Sequence, residues 1–363
     1  MRIFIILLML VLMGCNSKIV NDRPIKIDVK STYTSPEDIK KLLPTFQKND
    51  NDLYLLLTKD NIGKEYSDLI RTCNESDIDV TLWPLLNDED GPWANEDNVD
   101  VFSKNITVVM DWLTIENIKV KWIVVNMENS KSQMDVINNL LKNKKYSEIV
   151  DILLSNINKD KFNEATHKYQ DLVKTMHDRG YKVMVTTYPY IISDFKDGDA
   201  DIQDICNTPI ADIPWDAHTL TTYRTAYSGD FNVKFTSDFV YSYAKTAKEY
   251  DKNVRLALGI AGKSSHGQGY TGPEDLALDI AAAKAAKIDE VDVFYLDGMV
   301  DNLPVWLETK NTKASIPQSD SKVMAMKLFI VAVDKLCDSG NVNKETLLKL
   351  IEMTIQNKEN KYE

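Results

Sequence analysis

Short apolar segments alternate with longer amphipathic segments along most of the chain. Several of the short segments, such as 122–125, contain no polar residue, which is typical of strands covered on both faces of a parallel sheet. Eight of them predict strands, at 25–29, 52–57, 80–86, 120–127, 182–188, 219–227, 254–260 and 290–296. Eight strands that alternate with helices predict an α/β fold, a (β/α)8 TIM barrel, in preference to a doubly wound sheet.

The amphipathic segments predict the helices. Between the strands we expect helices at 65–74, 99–116, 237–250 and 273–287. Pro273 followed by Glu274 is a helix-start signal. The long region 129–179 after strand four predicts a helical insertion with two helices. After strand eight, apolar residues at helical spacing predict a hairpin of helices 321–337 and 344–356.

The first residues indicate export. Arg2 precedes the apolar segment 3–13, which has the length of a signal-peptide core and is too short to span a bilayer as a helix. The sequence Leu-Met-Gly-Cys at 12–15 resembles the bacterial lipobox, whose cysteine is acylated and becomes the first residue of the mature protein. Because Met13 replaces the usual small or β-branched residue, an ordinary secretory signal is the alternative.

The lipobox resemblance and the predicted elements give the domain organisation. The resemblance implies a signal peptide at 1–14 and a Cys15 that carries acyl chains, palmitate among them, which anchor the protein to a bacterial membrane. A polar tether at 15–24 leads to the barrel at 25–312. Residues 313–363 form a C-terminal helical extension packed on the barrel.

Composition narrows the partners and cofactors. The chain of 363 residues holds 43 Lys and Arg against 55 Asp and Glu, a formal net charge of −12. Without a basic cluster the phosphate contacts that drive nucleic-acid binding have no source, so we expect no nucleic-acid partner. The four histidines and the cysteines beyond the lipobox lack the spacing of a zinc site, so we expect no cofactor. A single disulfide among Cys73, Cys206 and Cys337 stays open.

Two predicted strands end in carboxylates. Barrel enzymes carry their sites at the carboxyl ends of the strands. Strand four ends at Glu128, which alternation places on the same face as Asn126, and strand eight ends at Asp297. We predict Glu128 as a general acid and Asp297 as a base or an orienting carboxylate. Asn126 and Tyr295, which shares the inward face of strand eight, are predicted substrate contacts.

Aromatic side chains surround these strand ends. Rings stack on the apolar C–H faces of sugars while carboxylates act on hydroxyls and the glycosidic oxygen, so the combination favours carbohydrate. Further predicted substrate contacts are Trp83, Trp93, Tyr188, Tyr223, Arg224 and His266. Arg224 would bind an anionic group of the ligand or neutralise Glu128. His266 would reach the ligand from a glycine-rich loop over the mouth.

The pattern resembles the barrels of glycoside hydrolases, and the chitinase clan, glycoside hydrolase family eighteen, in particular. The strand-four motif of that family, DxxDxDxE, falls on Lys121, Val124, Asn126 and Glu128. Only its last residue, the catalytic acid, is matched by Glu128. Asn126 cannot supply the charge of the aspartate that orients an N-acetyl group in that family. Tyr223 could fill the role of the family's strand-six tyrosine.

A second resemblance covers about half of the chain. Segments 82–98 and 259–306 are similar to a group of uncharacterised bacterial barrels that resemble glycosidases. The resemblance to glycoside-hydrolase barrels implies hydrolysis of glycosidic bonds, whereas the second resemblance implies no particular activity. Because strands four and eight face each other across a barrel, Glu128 and Asp297 would have the wide separation of an inverting pair.

Two segments match other binding motifs only in part. Residues 257–264 fit a relaxed phosphate-binding loop, but no helix follows directly, so we expect no nucleotide. Segment 197–204 resembles the start of a calcium-binding EF-hand loop through Asp197, Asp199, Asp201 and Asp204. Ile202 stands where that loop needs glycine and Thr208 where it needs glutamate, so we expect no metal there.

Two functions remain open. The first is a membrane-anchored lipoprotein with a glycoside-hydrolase-like barrel that acts on or binds carbohydrate at the cell envelope. The second is a non-catalytic surface lipoprotein that binds carbohydrate or another ligand, or serves in adhesion. In both cases the protein is exported and lies on the periplasmic face or the cell surface.

Overall fold

Eight parallel strands close into a barrel in the computed structural model, which describes residues 22–262 and 267–359. Each strand pairs with the next along the chain, and the last pairs with the first. The strands are β1 (Lys26–Ser31), β2 (Leu53–Leu57), β3 (Val80–Pro84), β4 (Trp122–Asn126), β5 (Lys182–Thr187), β6 (Ala217–Thr221), β7 (Arg255–Ile260) and β8 (Glu290–Phe294). The predicted (β/α)8 TIM barrel is confirmed.

Helices connect the strands and follow the last one. They are α1 (Pro36–Asn49), α2 (Lys64–Glu75), α3 (Val99–Ile115), α4 (Lys131–Lys142), α5 (Tyr146–Asn156), α6 (Lys159–Asp178), α7 (Ile192–Asp197), α8 (Asp201–Ile205), α9 (Arg224–Asp230), α10 (Asp238–Tyr250), α11 (Pro273–Ala285), α12 (Leu303–Leu307), α13 (Ser321–Asp338) and α14 (Lys344–Glu359). Every helix predicted from the sequence has a counterpart among them.

Three local features differ from the sequence expectations. Helix α1 was not predicted: its buried residues Ile39, Leu43 and Phe46 have helical spacing, but Pro44 within the helix obscures that pattern. The region between β4 and β5 holds α4, α5 and α6, where two helices were expected. Strand β6 ends at Thr221, so the aromatic residues that follow, which we predicted as strand, belong to a turn and to α9.

Strand β4 separates two apolar layers. Val125 and Met127 belong to the main core between the strands and the helices, whereas Val124 belongs to a smaller cluster inside the barrel. That interior cluster contains Tyr54, Trp83, Trp122, Val124, Met184, Ala217, Ile260, Phe294 and Tyr295. The alternation is the one predicted, and it directs Asn126 and Glu128 inward at the carboxyl end of the barrel.

Helices α13 and α14 form the predicted C-terminal hairpin. The two helices pack on each other and on α5 and α8. The buried side chains of this contact are Val150, Ile202, Ile205, Cys206, Val333 and Leu347. Since α7 and α8 follow β5 directly, the hairpin covers that side of the carboxyl end of the barrel. Asp194 of α7 and Asp334 of α13 are both buried in this contact region.

Several expectations concern residues that the structure does not describe. The signal peptide, Cys15 and most of the tether lie outside the described residues, as does His266. In the described ranges no helix is both long and apolar enough to cross a bilayer. Cys73, Cys206 and Cys337 are free thiols.

Candidate functional site

Glu128 lies just beyond the end of β4, at the carboxyl end of the barrel. Its backbone N–H donates to the carbonyl of Ala94 (3.0 Å), and the N–H of Ala94 donates to the carbonyl of Asn126 (2.9 Å). The loop after β3 thereby pairs with the end of β4. The side-chain amide of Asn126 donates to Glu128 Oε1 (3.0 Å). Both the backbone and one carboxylate oxygen of Glu128 are therefore fixed.

Burial sets the proton affinity of Glu128. It raises the pKa of the carboxyl group, while the amide donor of Asn126 and the positive charge of Lys30 oppose the rise. The pKa stays above the ordinary value of a glutamic acid. A carboxyl group that keeps its proton nearer to neutral pH is suited to protonate a leaving group.

A buried ion pair lies deeper inside the barrel. Lys30 Nζ of β1 and Asp292 Oδ1 of β8 are 2.8 Å apart, and the two side chains are 2% and 1% exposed. Apart from Lys30, no donor among the described residues reaches either oxygen of Asp292. Lys30 Nζ also lies 5.6 Å and 5.3 Å from the ring centroids of Tyr54 and Trp83. The charge of Lys30 thus acts on Asp292 and on Glu128.

Sequence reasoning missed this ion pair, although a signal for it existed. Lys30 and Asp292 are charged residues that interrupt the apolar pattern of β1 and β8, whereas strands covered on both faces are normally apolar throughout. A charged group buried in a barrel requires a partner of opposite charge. One lysine and one aspartate at inward positions of two paired strands satisfy that requirement.

Aromatic rings line the barrel interior near its mouth, with Phe294 at their centre. Trp83 meets Phe294 edge-on with ring centroids 6.0 Å apart. Tyr223 and Tyr295 stack on Phe294 at 6.4 Å and 4.8 Å. The indole N–H of Trp83 is buried with no hydrogen-bond partner in the described part of the chain. Three predicted ligand contacts are therefore brought together around a ring that was not predicted.

The tyrosines near the Glu128 carboxylate include Tyr188, Tyr223 and Tyr227. Burial and, after it, neighbouring negative charges that include Glu128 raise the pKa of each. The hydroxyl of Tyr188 accepts the backbone N–H of Asn129 at 3.3 Å. Tyr227, which the sequence placed with Tyr223 on the predicted strand 219–227, lies on α9. These phenols stay protonated and can donate hydrogen bonds to a ligand.

Asp297 lies at the rim of the barrel. After β8 the chain turns through a 3-10 segment at Leu296–Gly298, so strand alternation does not extend to Asp297 as expected. Its carboxylate accepts from the hydroxyls of Thr32 (2.8 Å) and Thr34 (2.9 Å). The backbone N–H groups of Thr32 (3.4 Å) and Tyr33 (3.1 Å) donate to it as well. Asp297 therefore anchors the loop after β1, and its catalytic role stays a prediction.

Arg224 contacts α11 instead of Glu128. Because β6 ends at Thr221, Arg224 becomes the first residue of α9. Its buried guanidinium donates to Asp279 (2.9 Å) and Asp275 (2.7 Å). The expectation that Arg224 neutralises Glu128 is wrong, since these donors hold two helices together.

Trp93 and His266 are the remaining predicted ligand contacts, and the structure describes only Trp93. Trp93 is half-buried and directly precedes Ala94, whose backbone carbonyl accepts the N–H of Glu128. It therefore lies along the loop beside the acid. His266 is outside the described residues, so its contact with a ligand stays a prediction.

The closed barrel and its mouth define the class of protein, a (β/α)8 barrel with an acid and aromatic side chains at the carboxyl end. No family model and no curated protein sequence matches the chain. Solved structures do share the fold.

Two similar structures have a TM-score of 0.50 and 11% sequence identity. The GH5-4 broad specificity endoglucanase from Clostridum cellulovorans aligns over 79% of this chain and 94% of that one. The exo-β-1,4-mannosidase Op5Man5 from Opitutaceae bacterium strain TAV5 aligns over 86% of this chain and 61% of that one. The PgaB (BpsB) glycoside hydrolase domain from Bordetella bronchiseptica aligns over 80% and 100%, with a TM-score of 0.48 and 8% identity. The two likenesses with a TM-score of 0.50 agree with the TIM barrel fold.

Proposed function

We propose that this protein is a membrane-anchored bacterial lipoprotein whose glycoside-hydrolase-like barrel acts on carbohydrate at the cell envelope. The observation that carries the proposal is Glu128, a carboxyl group of raised pKa beside aromatic rings at the carboxyl end of a TIM barrel. Sites of barrel enzymes lie at that end. The names of the three similar barrels agree with this reaction class.

In the proposed reaction, Glu128 is the general acid. Asn126 holds Oε1, which leaves Oε2 to carry the proton to the glycosidic oxygen. As the bond between that oxygen and the anomeric carbon breaks, the leaving alcohol takes the proton of Glu128. Water then supplies a hydroxyl group to the anomeric carbon and releases its proton to a second carboxylate.

The second carboxylate has two candidates. Asp297 was predicted from the sequence, and its hydrogen bonds to the loop after β1 hold it at the rim. Asp292 lies deeper and is paired with Lys30. Asp297→Asn and Asp292→Asn keep the shape of each side chain, so the variant that loses turnover while still folding identifies the base.

The rings around Phe294 supply the proposed binding surface. Trp83, Tyr223 and Tyr295 offer the aromatic faces on which the C–H side of a sugar stacks. This surface does not depend on a working acid pair. It therefore also supports the second function, a lipoprotein that binds carbohydrate without cleaving it.

A glycan-library hydrolysis assay tests the proposal. The chain starting at residue 16 keeps every residue that the structure describes. We expect turnover of at least one glycan and a loss of about 10²–10⁴-fold in Glu128→Gln. Glu75→Gln, an exposed glutamate at the end of α2, is the matched control and should keep full activity.

Each other outcome changes the proposal in a defined way. Turnover that survives in Glu128→Gln would keep the reaction class and overturn the assignment of the acid. Binding of a glycan without turnover would replace hydrolysis by the binding function. Neither turnover nor binding with any glycan would contradict both functions.

The membrane anchor has a separate test. The full-length chain expressed in a bacterium should gain the mass of its acyl chains at Cys15 and partition into detergent. Cys15→Ser should lose both properties. Equal masses and equal partitioning of the two proteins would show that the lipobox interpretation is wrong.

A further inference from the structure

Five aspartates converge where α7 and the segment after it meet the C-terminal hairpin. One carboxylate oxygen each of Asp194, Asp199 and Asp334 lies within 4.8 Å of the others. The same holds for Asp197, Asp199 and Asp338, so Asp199 belongs to both groups. Three of the five come from the short segment 194–199, and two from α13 far along the chain.

Both buried aspartates are held in place by hydrogen bonds, and Asp334 keeps one oxygen without a partner among the described residues. Asp194 is 0% and Asp334 2% exposed. Asp194 accepts the backbone N–H groups of Ile202 (3.1 Å) and Gln203 (2.9 Å). Asp334 Oδ2 accepts the hydroxyl of Ser193 at 2.5 Å. Asp334 Oδ1 is buried and has no hydrogen-bond partner among the described residues.

These carboxylates also lack a cation from the protein. In the described part of the chain, no lysine or arginine forms an ion pair with any of the five. Lysines are close by, since Lys159 pairs with Asp201 at 3.3 Å and Lys344 pairs with Asp151 at 2.6 Å. Lys159 and Lys344 are thus paired with carboxylates outside the cluster, and the five aspartates have no lysine or arginine partner among the described residues.

Burial makes this arrangement costly for the protein alone. Adjacent carboxylates oppose one another's ionisation unless a positive charge lies among them.

We propose that Asp194, Asp199 and Asp334 bind a hard divalent cation, with Ca²⁺ as the expected ion. Ca²⁺ takes carboxylate oxygens at about 2.3–2.6 Å, so two oxygens that share it lie at most about 5 Å apart. The cluster meets this limit with three residues. Asp197 and Asp338, which are exposed, would complete the coordination directly or through water.

The proposed site differs from the EF-hand loop with which the acidic sequence was compared. The series that starts at Asp197 lacks the glycine and the closing glutamate of an EF-hand, so no self-contained loop was expected to bind calcium. In the proposed site the closing ligand would be Asp334, supplied by α13. The ion would therefore join the segment after β5 to the C-terminal hairpin.

Calorimetric titration and thermal unfolding of the full-length chain in detergent test the proposal. After removal of divalent ions with EDTA and then of EDTA itself, we expect one equivalent of Ca²⁺ to bind. Saturating Ca²⁺ should raise the Tm by about 4 °C or more. Asp334→Asn should weaken Ca²⁺ binding at least about 10-fold and abolish most of that shift. Asp171→Asn, an exposed aspartate on α6, is the control and should respond as the unsubstituted chain does.

A second variant protects the test against misfolding. Asp334→Asn removes a negative charge from the cluster, so in EDTA its Tm should not be lower than that of the unsubstituted chain. If its Tm is lower, Asp199→Asn, at a half-buried position, decides the question by the same titration. Binding of Mg²⁺ in place of Ca²⁺ with the same dependence on these residues would support the site. Absence of binding of either ion up to about 10 mM, or binding unchanged in both variants, would overturn it.

Discussion

The barrel interior and the junction with the C-terminal hairpin both bury carboxylates, but they balance the charge differently. In the interior, Asp292 Oδ1 lies 2.8 Å from Lys30 Nζ. The positive charge of Lys30 also opposes the rise in the pKa of Glu128 that burial causes. At the junction, Asp194 and Asp334 are equally buried, and no lysine or arginine of the described residues pairs with them.

The difference separates two kinds of buried carboxylate, one paired with a cation of the protein and one without such a partner. A carboxylate paired within the fold contributes to stability only as long as its partner stays, because breaking a buried pair leaves an uncompensated charge. A cluster of carboxylates without a cation is a poor stabilising element and a good set of ligands. The Lys30–Asp292 pair is balanced in charge without a ligand, whereas the proposed Ca²⁺ would balance the carboxylates of the junction.

The largest expected effect comes from removing the interior cation. Lys30→Met leaves Asp292, 1% exposed, without its ion-pair partner. We expect the free energy of unfolding to fall by about 3–5 kcal/mol, as measured by urea unfolding.

A surface pair is the matched control for this prediction. Lys174 and Asp178 are 70% and 65% exposed, so Lys174→Met should change the free energy of unfolding by less than about 1 kcal/mol. A loss equally small in Lys30→Met would mean that Asp292 is neutral in the folded protein. The contrast between the two regions would then disappear.

A smaller effect is expected at the rim. Asp297→Ala removes the acceptor of hydrogen bonds from Thr32, Tyr33 and Thr34, and we expect a loss of about 1–2 kcal/mol in the free energy of unfolding. Urea unfolding and hydrolysis should be measured on the same preparation. Asp301→Ala, at an exposed position nearby, is the control. A large loss of turnover with unchanged stability would instead identify Asp297 as a catalytic residue and not as an anchor.

The smallest expected effect is a dependence of stability on pH. The folded chain holds the proton of Glu128 more tightly than the unfolded chain, since burial raises its pKa. This contribution to stability is full below the ordinary pKa of about 4.3 and is lost as the pH rises through the raised value. Glu128→Gln cannot titrate, so its stability relative to that of the unsubstituted chain should increase as the pH rises above about 4.

Urea unfolding at several pH values checks this sign. Glu75→Gln is the control, and its difference from the unsubstituted chain should not grow across the range. A difference for Glu128→Gln that stays constant with pH would mean that the carboxyl group ionises alike in both states.

The barrel could be predicted from the sequence because its strands are covered on both faces. That burial produces uninterrupted apolar segments such as 122–125, which separate clearly from the amphipathic helices. The position of Glu128 followed from the same strand, since alternation through Val125 and Met127 held to its end. Alternation failed where the strand stops, and Asp297 lies in a turn whose geometry depends on local contacts.

The other features depend on contacts between distant parts of the chain. Lys30 and Asp292 meet because the first and last strands pair when the barrel closes. Asp334 joins Asp194 because α13 packs on the helices after β5, and no spacing in the sequence encodes that docking. Contacts between distant parts of the chain therefore pair Lys30 with Asp292 and bring together the aspartates proposed to bind Ca²⁺.

The pairing of the loop after β3 with the end of β4 has a mechanical consequence. Two backbone hydrogen bonds connect Ala94 to Asn126 and Glu128, and Trp93 is the neighbouring residue of the same loop. The Trp93 ring and the Glu128 carboxyl group therefore lie on two segments joined by backbone hydrogen bonds. A displacement of one segment would displace the other. In the proposed reaction, the spacing between the Trp93 ring and the proton-donating Glu128 would be set before a ligand arrives, so binding would not need to spend free energy on assembling it.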